Sequence, residues 1–311
     1  MQIFYYFCSI FRTIMDKISK AQVKIVRSLQ QKKFRDELGL FVAEGDKCVS
    51  ELSKSFELEY YIQTAGADRP AAPDRIQTAT ADRILIATET EIEQMSGLRT
   101  PQGVIGVFKK KETSPTPSTR RGALSLEGRD GERFLILALD GIQDPGNLGT
   151  IIRTCDWFGV HDIVCSLDTA DCYNPKVVQA TMGALARVRV HYTDLPKWLE
   201  EMKDRESEIR IYGTLLEGKD MYEVLSAQKS VSPKDDLTAK RSYSNAVLQQ
   251  RGHEVIVMGN EGNGISQRVR TLVTHPIRIP SYPKNAETSE SLNVSIATAI
   301  VLAEFRRTAK S

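Results

Sequence analysis

The sequence predicts an α/β protein whose carboxyl-terminal part is a doubly wound parallel sheet, preceded by a smaller α/β domain. From residue 134 onward, short continuous apolar runs alternate with helix-length segments. Continuous apolar strands are typical of parallel sheets that helices cover on both faces. Before residue 108, shorter strands and helices alternate in a second pattern. A chain of 311 residues, 41% of them apolar, can supply a core for each domain.

A polar stretch separates the two predicted domains. Residues 109–133 are rich in Pro, Ser, Thr, Gly and charged side chains, a composition typical of a flexible linker. We therefore predict a first domain at 15–108 and a second at 134–311. Another polar stretch, roughly 217–252, follows the strand predicted at 209–214. We interpret it as a partly helical excursion on the surface of the second domain.

The first domain is predicted to begin with a basic helix. Ser19 and Gln22 fit a capping box, and apolar residues follow at helical spacing. A second helix is predicted after Thr88, whose hydroxyl suits a helix cap. Strands are predicted at 41–45, 58–62, 84–88 and 103–108.

Charge is distributed unevenly over this first helical region. Between Lys17 and Arg35 there are seven basic residues and no acidic one, although the whole chain carries only +2 from 42 basic and 40 acidic residues. This run of basic residues is typical of a surface that attracts RNA phosphates. An ordinary solvated helix face would account for the same run equally well. If RNA binds there, neutralising the helix should weaken RNA binding without affecting cofactor binding; the residues concerned are Lys24, Arg27, Lys32 and Lys33.

The cysteines and histidines predict neither a disulfide framework nor a metal site. The five cysteines form no C-x-x-C pair, and the four histidines lack ligand-like spacing. We expect a cytoplasmic location, where thiols stay reduced. Residues 1–14 are apolar but too short for a membrane span and lack the marks of a signal peptide, so Met15 is a more ordinary beginning.

Three polar motifs follow apolar strands in the second domain. They are DPGNLGTIIRTCDWF, GNEGNG at 259–264 and SESLNVS at 289–295. Each lies where the carboxyl edge of a parallel sheet is expected, which is where α/β enzymes bind ligands. Taken singly, an asparagine at a helix start is most simply a cap. Together the motifs indicate a ligand site; its candidate residues are Asn147, Arg153, Glu261, Ser291 and Asn293.

The glycine-rich turn after the strand at 254–259 matches neither a dinucleotide fingerprint nor a P-loop. Its spacing is G-x-x-G-x-G, and no G-x-x-x-x-G-K-[ST] run occurs. A turn that merely joins two elements would not need Asn260 and Glu261 at its tip, so we favour a ligand-binding turn. Arg153 lies among apolar neighbours, where a surface salt bridge and a phosphate contact are both open.

The three motifs in this order resemble the signature of the SpoU, or TrmH-type, RNA 2'-O-ribose methyltransferases. The run QQKKFRDELGLFVAEGDKCVSEL is similar to the substrate-binding domain that precedes the catalytic domain in that family. The resemblance extends over nearly the whole chain from about Met15. It implies a trefoil knot of the SPOUT type, a rare exception to unknotted topology. It also implies S-adenosylmethionine held by backbone groups at Gly259, Ile279 and Leu292.

The implied reaction is methylation of a ribose 2'-hydroxyl in structured RNA, with ribosomal RNA expected ahead of transfer RNA. The family resemblance further implies a homodimer in which Arg153 reaches toward the partner's cofactor. Because a guanidinium stays protonated, we assign Arg153 to charge stabilisation and phosphate binding, with proton loss through Glu261 or water. We expect the other candidates to position the substrate.

Two alternatives stay open at this point. The chain could be a non-catalytic RNA-binding protein that keeps the fold, or a base methyltransferase of the same superfamily.

The segment between Ile279 and Ser291 is longer than the turn typical of the family.

Overall fold

The computed structural model describes residues 16–65, 84–111, 135–205, 209–227, 253–283 and 291–309. The chain divides into two compact units, Met1–Glu112 with Asp171–Arg187, and Thr113–Ala170 with Val188–Ser311. The predictions for residues 1–14, for most of the 109–133 linker and for the polar stretch beyond 227 lie outside the described residues.

The elements are numbered in chain order. The strands are β1 (Asp16–Lys17), β2 (Leu40–Glu44), β3 (Leu58–Thr64), β4 (Ile84–Ala87), β5 (Val104–Lys109), β6 (Leu135–Asp140), β7 (Asp162–Ser166), β8 (Arg189–Thr193), β9 (Arg210–Asp220), β10 (Glu254–Gly259) and β11 (His275–Arg278). The helices are α1 (Lys20–Ser28), α2 (Lys32–Leu38), α3 (Asp46–Leu52), α4 (Glu89–Met95), α5 (Pro145–Trp157), α6 (Pro175–Thr181), α7 (Leu195–Arg205), α8 (Met221–Ala227), α9 (Gln267–Arg270) and α10 (Val294–Ala309).

A mixed five-stranded sheet forms the centre of the first unit. Its order is β1-β4-β3-β5-β2, with β5 antiparallel to both of its neighbours. The local sequence signals are confirmed, because Ser19 and Gln22 form a capping box on α1 and Thr88 forms one with Glu91 on α4. Between β2 and α3, Gly45 has a φ of 88°, a backbone conformation that favours glycine.

The basic region between Lys17 and Arg35 begins at the end of β1 and continues through two helices, α1 and the first turn of α2, with Gln31 as the N-cap of α2. Arg35 is only 1% exposed. Its Nε and Nη2 donate to Asp171 Oδ2 at 3.1 and 2.8 Å, and its Nη1 donates to two backbone carbonyls. Lys32 is exposed and pairs with Asp36 at 2.6 Å. The expectation of a phosphate-attracting surface is therefore wrong for Arg35, and Lys32 already has an acidic partner.

Asp171–Arg187 packs within the first unit, although the sequence pattern predicted it in the second domain. The ring of Tyr173 lies 4.7 Å from that of Phe41. Glu51 accepts a hydrogen bond from Arg187 Nη1 at 2.7 Å. Together with the buried Arg35–Asp171 pair, these contacts make the first unit discontinuous in sequence.

A six-stranded sheet with every neighbouring pair parallel forms the centre of the second unit. Its order is β11-β9-β10-β6-β7-β8, which confirms the predicted α/β class with a parallel sheet. From β6 the chain moves outward through β7 and β8, and the later strands lie on the other side of β6. Such a change of direction forms the crevice in which α/β sheets bind ligands. None of the described helices is long and apolar enough to cross a bilayer.

Two details of the second unit differ from the sequence prediction. The strand predicted at 209–214 continues to Asp220 and leads into α8, so the first part of the 217–252 stretch is regular structure. The apolar run at 277–280 predicts a strand there, and the strand is found two residues earlier, at His275–Arg278. Its last two residues pair with the end of β9 after a register shift.

Apolar residues at helical spacing from Leu292 onward predict a helix, which is present as α10, but these residues do not all face the core. Leu292, just before the helix, is 48% exposed and Ile296 is 52% exposed. The buried residues of the helix are Val294, Ser295, Thr298, Val301, Leu302, Glu304 and Phe305. Helical spacing therefore identified the element without identifying the side that packs.

Replacing Arg35 with methionine should lower the free energy of unfolding by about 3–5 kcal/mol, because the nearly buried Asp171 carboxylate then loses its charged partner. Urea unfolding of the full chain measures the change. Lys32→Met is the matched control, since it breaks an exposed pair on the same helix that contributes at most about 0.5 kcal/mol. Equal effects of the two substitutions would contradict a structural role for Arg35.

Candidate active site

The candidate site lies at the carboxyl edge of the parallel sheet, where β6 and β10 end side by side. In the register of this strand pair, Asp140 lies opposite Gly259. The loop after β6 leads into α5, and the loop after β10 carries the second polar motif. The first two motifs therefore start from adjacent points of the sheet.

Asp144, rather than Asn147, caps α5. Asp144 Oδ1 accepts a hydrogen bond from the backbone N–H of Asn147 at 2.8 Å, and Pro145 occupies the first helical position. Asn147 is therefore not the helix cap that an asparagine in this position, taken singly, would suggest. Its side chain lies in the first turn, where it makes contacts with the other two motifs.

Asn147 joins all three motifs through its side chain. Its Nδ2 donates to Glu261 Oε1 at 3.0 Å, and its Oδ1 accepts from Asn293 Nδ2 at 3.0 Å. Three residues from distant parts of the sequence thus form one hydrogen-bonded chain. Their proximity bears out the expectation that the motifs converge at this edge of the sheet.

Asn293 sets the orientation of these hydrogen bonds, because its own amide oxygen already accepts hydrogen bonds from Ser295. Its Oδ1 accepts from the backbone N–H of Ser295 at 2.9 Å and from the Ser295 hydroxyl at 2.6 Å, so Asn293 caps the start of α10. Only its amide nitrogen can then face Asn147. The same donor and acceptor rule directs the Asn147 amide nitrogen toward the Glu261 carboxylate.

Glu261 is exposed at the tip of the loop. Its Oε1 accepts the hydrogen bond from Asn147, and within the described ranges no donor reaches Oε2. A carboxylate held through one oxygen by a neutral amide can present the other oxygen to a substrate hydroxyl. This geometry suits a group that accepts a hydrogen bond or a proton.

Arg153 is exposed further along α5, while its neighbours Ile151 and Ile152 are fully buried. Its side chain forms no hydrogen bond or ion pair with another residue in the described part of the chain. The apolar residues next to Arg153 in the sequence therefore do not imply that Arg153 is buried, because it lies on the solvent-facing side of the helix. The surface salt bridge that the sequence left open is not found among the described residues.

The remaining candidates lie around this edge without joining the hydrogen-bonded chain. Ser291 and Leu292 directly precede Asn293 and are exposed. Ile279 follows the last residue of β11 and is partly buried. Gly259 ends β10, where an added Cβ would lie 2.3 Å from both Gly264 C and Ile265 N. The backbone of the loop returns so close to Gly259 that only glycine fits there.

Asn260 has a role that the sequence interpretation missed. Its Oδ1 accepts from the backbone N–H groups of Gly262 and Asn263 at 2.9 Å each, and its Nδ2 donates to Gly141 O at 2.6 Å. The side chain therefore holds the loop rather than pointing outward from its tip. An asparagine in a turn readily accepts hydrogen bonds from the backbone two residues on, which is the signal that could have identified it.

The thiols of the described cysteines offer no nucleophile at this site. Cys155 on α5 is fully buried, and burial raises the pKa of its thiol. Burial likewise raises the pKa of Cys48, in the first unit, to about 11. The described residues contain no group of three or more side chains arranged to hold a metal ion.

Comparison with known families identifies the chain. The model of the SpoU rRNA methylase family matches residues 134–303. The chain belongs to this family. The model of an MRM3-like substrate-binding domain matches residues 20–106, in the first unit. The resemblance predicted from the motifs is thus confirmed.

Relatives of this SpoU family member align over almost the whole chain. The 23S rRNA (guanosine(2553)-2'-O)-methyltransferase of Bacillus subtilis is 25% identical over 292 residues, covering 94% of this chain and 98% of the relative. A solved TrmH-family protein from Porphyromonas gingivalis is 31% identical with a TM-score of 0.65, covering 93% and 98%. An AdoMet-bound rRNA methyltransferase from Sinorhizobium meliloti is 26% identical with a TM-score of 0.69, covering 94% and 97%.

Proposed function

We propose that this SpoU family member transfers the methyl group of S-adenosylmethionine to a ribose 2'-hydroxyl of ribosomal RNA. The observation that carries the proposal is the chain from Asn293 through Asn147 to Glu261, which joins the three family motifs at one sheet edge. The Bacillus subtilis relative is named for 2'-O-methylation of 23S rRNA, which favours ribosomal over transfer RNA.

Glu261 is the residue we assign to the substrate hydroxyl. Its Oε1 is held by Asn147, so Oε2 is available to accept the hydrogen bond of the 2'-hydroxyl and then its proton. Asn147 and Asn293 act as positioners, because each amide is oriented by the next group in the chain. Ser291, two residues before Asn293, lies exposed where it can contact the same ribose.

Arg153 has the role of a fixed positive charge. Its guanidinium stays protonated, so it stabilises negative charge on the ribose oxygen and holds a phosphate rather than acting as a base. Its exposure and lack of a partner among the described residues leave the charge available to RNA.

The sheet edge suits S-adenosylmethionine, which when bound supplies a methyl group activated by its sulfonium. We assign its binding to backbone groups of Gly259, Ile279 and Leu292. The exposed side chain of Leu292 offers apolar surface, and Gly262 and Gly264 in the neighbouring loop expose backbone without side chains. This mixture of apolar and backbone polar groups fits an adenosine moiety. Strand β10 lies between β9 and β6, an order that favours the trefoil knot expected for the family.

We further infer that the protein is a homodimer in the cytoplasm. Trp157 at the end of α5 is 85% exposed, and Leu292 and Ile296 expose apolar surface at the start of α10. Helices α5 and α10 pack together, so these residues belong to one layer of the second unit. Apolar surface of this kind favours a protein interface. The described cysteines are all buried thiols outside disulfides, as suits a reducing compartment.

The first unit supplies the RNA surface in this proposal. Lys20, Lys24 and Arg27 recur at helical spacing on the exposed side of α1, and none forms an ion pair with another described residue. They offer three positive charges to RNA phosphates. The set expected to bind RNA therefore changes from the one predicted. Lys20 is added, and two residues of α2 are left out: Lys32, which pairs with Asp36, and Lys33, whose Nζ lies 5.9 Å from the centroid of the Phe34 ring.

Incubating the protein with S-adenosylmethionine and unmethylated ribosomal RNA should yield a 2'-O-methylated nucleoside after nuclease digestion and mass spectrometry. Asn147→Ala is the control that should lose most of this product. A methylated base would instead support a base methyltransferase. Absence of methyl transfer, combined with absence of thermal stabilisation at millimolar S-adenosylmethionine, would support a non-catalytic RNA-binding protein.

Mixing Arg153→Ala chains with Asn293→Ala chains should restore about a quarter of wild-type methyl transfer, because half of the dimers are hybrids with one complete site of two. Each variant alone should be nearly inactive. Arg153→Lys keeps the charge and should retain substantial activity. Failure of the mixture to exceed the separate variants, or full activity of a purified monomer, would contradict the shared site.

Neutralising Lys20, Lys24 and Arg27 to glutamine should weaken RNA binding and reduce its salt dependence by about one unit of slope for each phosphate that is no longer neutralised. Calorimetry should find S-adenosylmethionine affinity close to wild type, because the cofactor residues belong to the second unit. Lys32→Gln is the control expected to leave the slope unchanged. An unchanged slope in the triple variant would make α1 an ordinary solvated helix.

A further inference from the structure

The backbone of Gly141, directly after β6, is hydrogen-bonded through both its N–H and its carbonyl to side chains of neighbouring segments. Its N–H donates to Ser166 Oγ, at the end of β7, at 2.8 Å. Its carbonyl accepts from Asn260 Nδ2, directly after β10, at 2.6 Å. Gly141 has a φ of 74°, a conformation that favours glycine, so the chain turns sharply here on its way to α5. The loop that leads from β6 to Asn147 is thus held in place at its first residue.

Asn260 holds the second loop at the same time. Its Oδ1 accepts from Gly262 N and Asn263 N, and its backbone exchanges two hydrogen bonds of 2.9 Å with Gly264. Glu261 lies between these fixed points. One side chain therefore shapes the loop that carries Glu261 and binds the loop that leads to Asn147.

A second contact fastens the far end of the loop. Ser266 N donates to Asp140 Oδ2 at 2.7 Å, and the Asp140 side chain is buried. Asp140 and Gly141 thus bind the residues on both sides of the Glu261 turn. Bonds at both ends limit how far Glu261 can move relative to the start of α5.

We propose that Asn260 is a positioning residue that sets the Glu261–Asn147 geometry for methyl transfer, an inference that rests on the function proposed above. The bonds of its side chain among the described residues go to backbone groups of the two loops. Its position requires an acceptor toward Gly262 and Asn263 and a donor toward Gly141, and only an amide supplies both. Aspartate would keep the acceptor, but it would place a carboxylate oxygen against the Gly141 carbonyl.

Asn260→Asp and Asn260→Ala separate the two halves of this role. Both should lower kcat between about tenfold and a hundredfold, since small displacements of reacting groups have effects of this size. KM for RNA should stay within about twofold, because α1 binds RNA independently. In hydrogen exchange, both variants should lose protection over 141–147. Only the alanine variant should lose it over 260–264, because aspartate still accepts from Gly262 N and Asn263 N.

Asn263→Asp is the matched control for exchange, because it adds the same charge to the same loop without removing a side-chain bond found among the described residues. It should leave protection over 141–147 unchanged. Wild-type kcat in Asn260→Asp, or wild-type exchange over 141–147 in that variant, would overturn the inference. A wild-type protein without methyl transfer would defeat the proposed function instead, and the exchange comparison would still decide whether Asn260 holds the loop.

Discussion

The hydrogen bond between Asn147 and Glu261 depends on the register of two buried parallel strands. Strands β6 and β10 pair residue by residue from Leu135 opposite Glu254 to Asp140 opposite Gly259. A slip of one residue would shift the strand ends by about 3.3 Å and turn each side chain to the other face of the sheet. The apolar side chains of both strands are almost wholly buried, so the core specifies the register and the register brings the loops together.

The polar network at the strand ends adds orientation more than stability. A hydrogen bond contributes about 0.5–1.5 kcal/mol to folding, and Glu261 and Asn293 are exposed to competing water. Burial of a single large apolar side chain contributes about 1.5–3 kcal/mol, and many such residues line the sheet. The buried apolar core therefore supplies most of the folding stability, while the hydrogen bonds of the asparagines set the orientation of each donor and acceptor.

Sequence patterns identified the elements and motifs because buried strands and helix caps leave local signals. They could not assign side chains whose partners are distant in sequence. Asn147 resembles a cap, yet Asp144 occupies that position and only the folded sheet brings Glu261 within reach. Arg35 belongs to a basic run, yet its partner Asp171 lies 136 residues away. The exposed Leu292 and Ile296 show that apolar spacing identifies a helix without revealing what covers each side.

Asn147 and Glu261 act as one unit in methyl transfer under the function proposed above, and a double-mutant cycle tests this coupling most directly. Single-turnover methyl transfer to ribosomal RNA would be measured for wild type, Asn147→Ala, Glu261→Gln and the double variant. Residues that act as a unit give strongly non-additive losses. We expect the double variant to be little slower than the slower single variant. A loss equal to the product of the two single losses would show instead that Asn147 and Glu261 act independently.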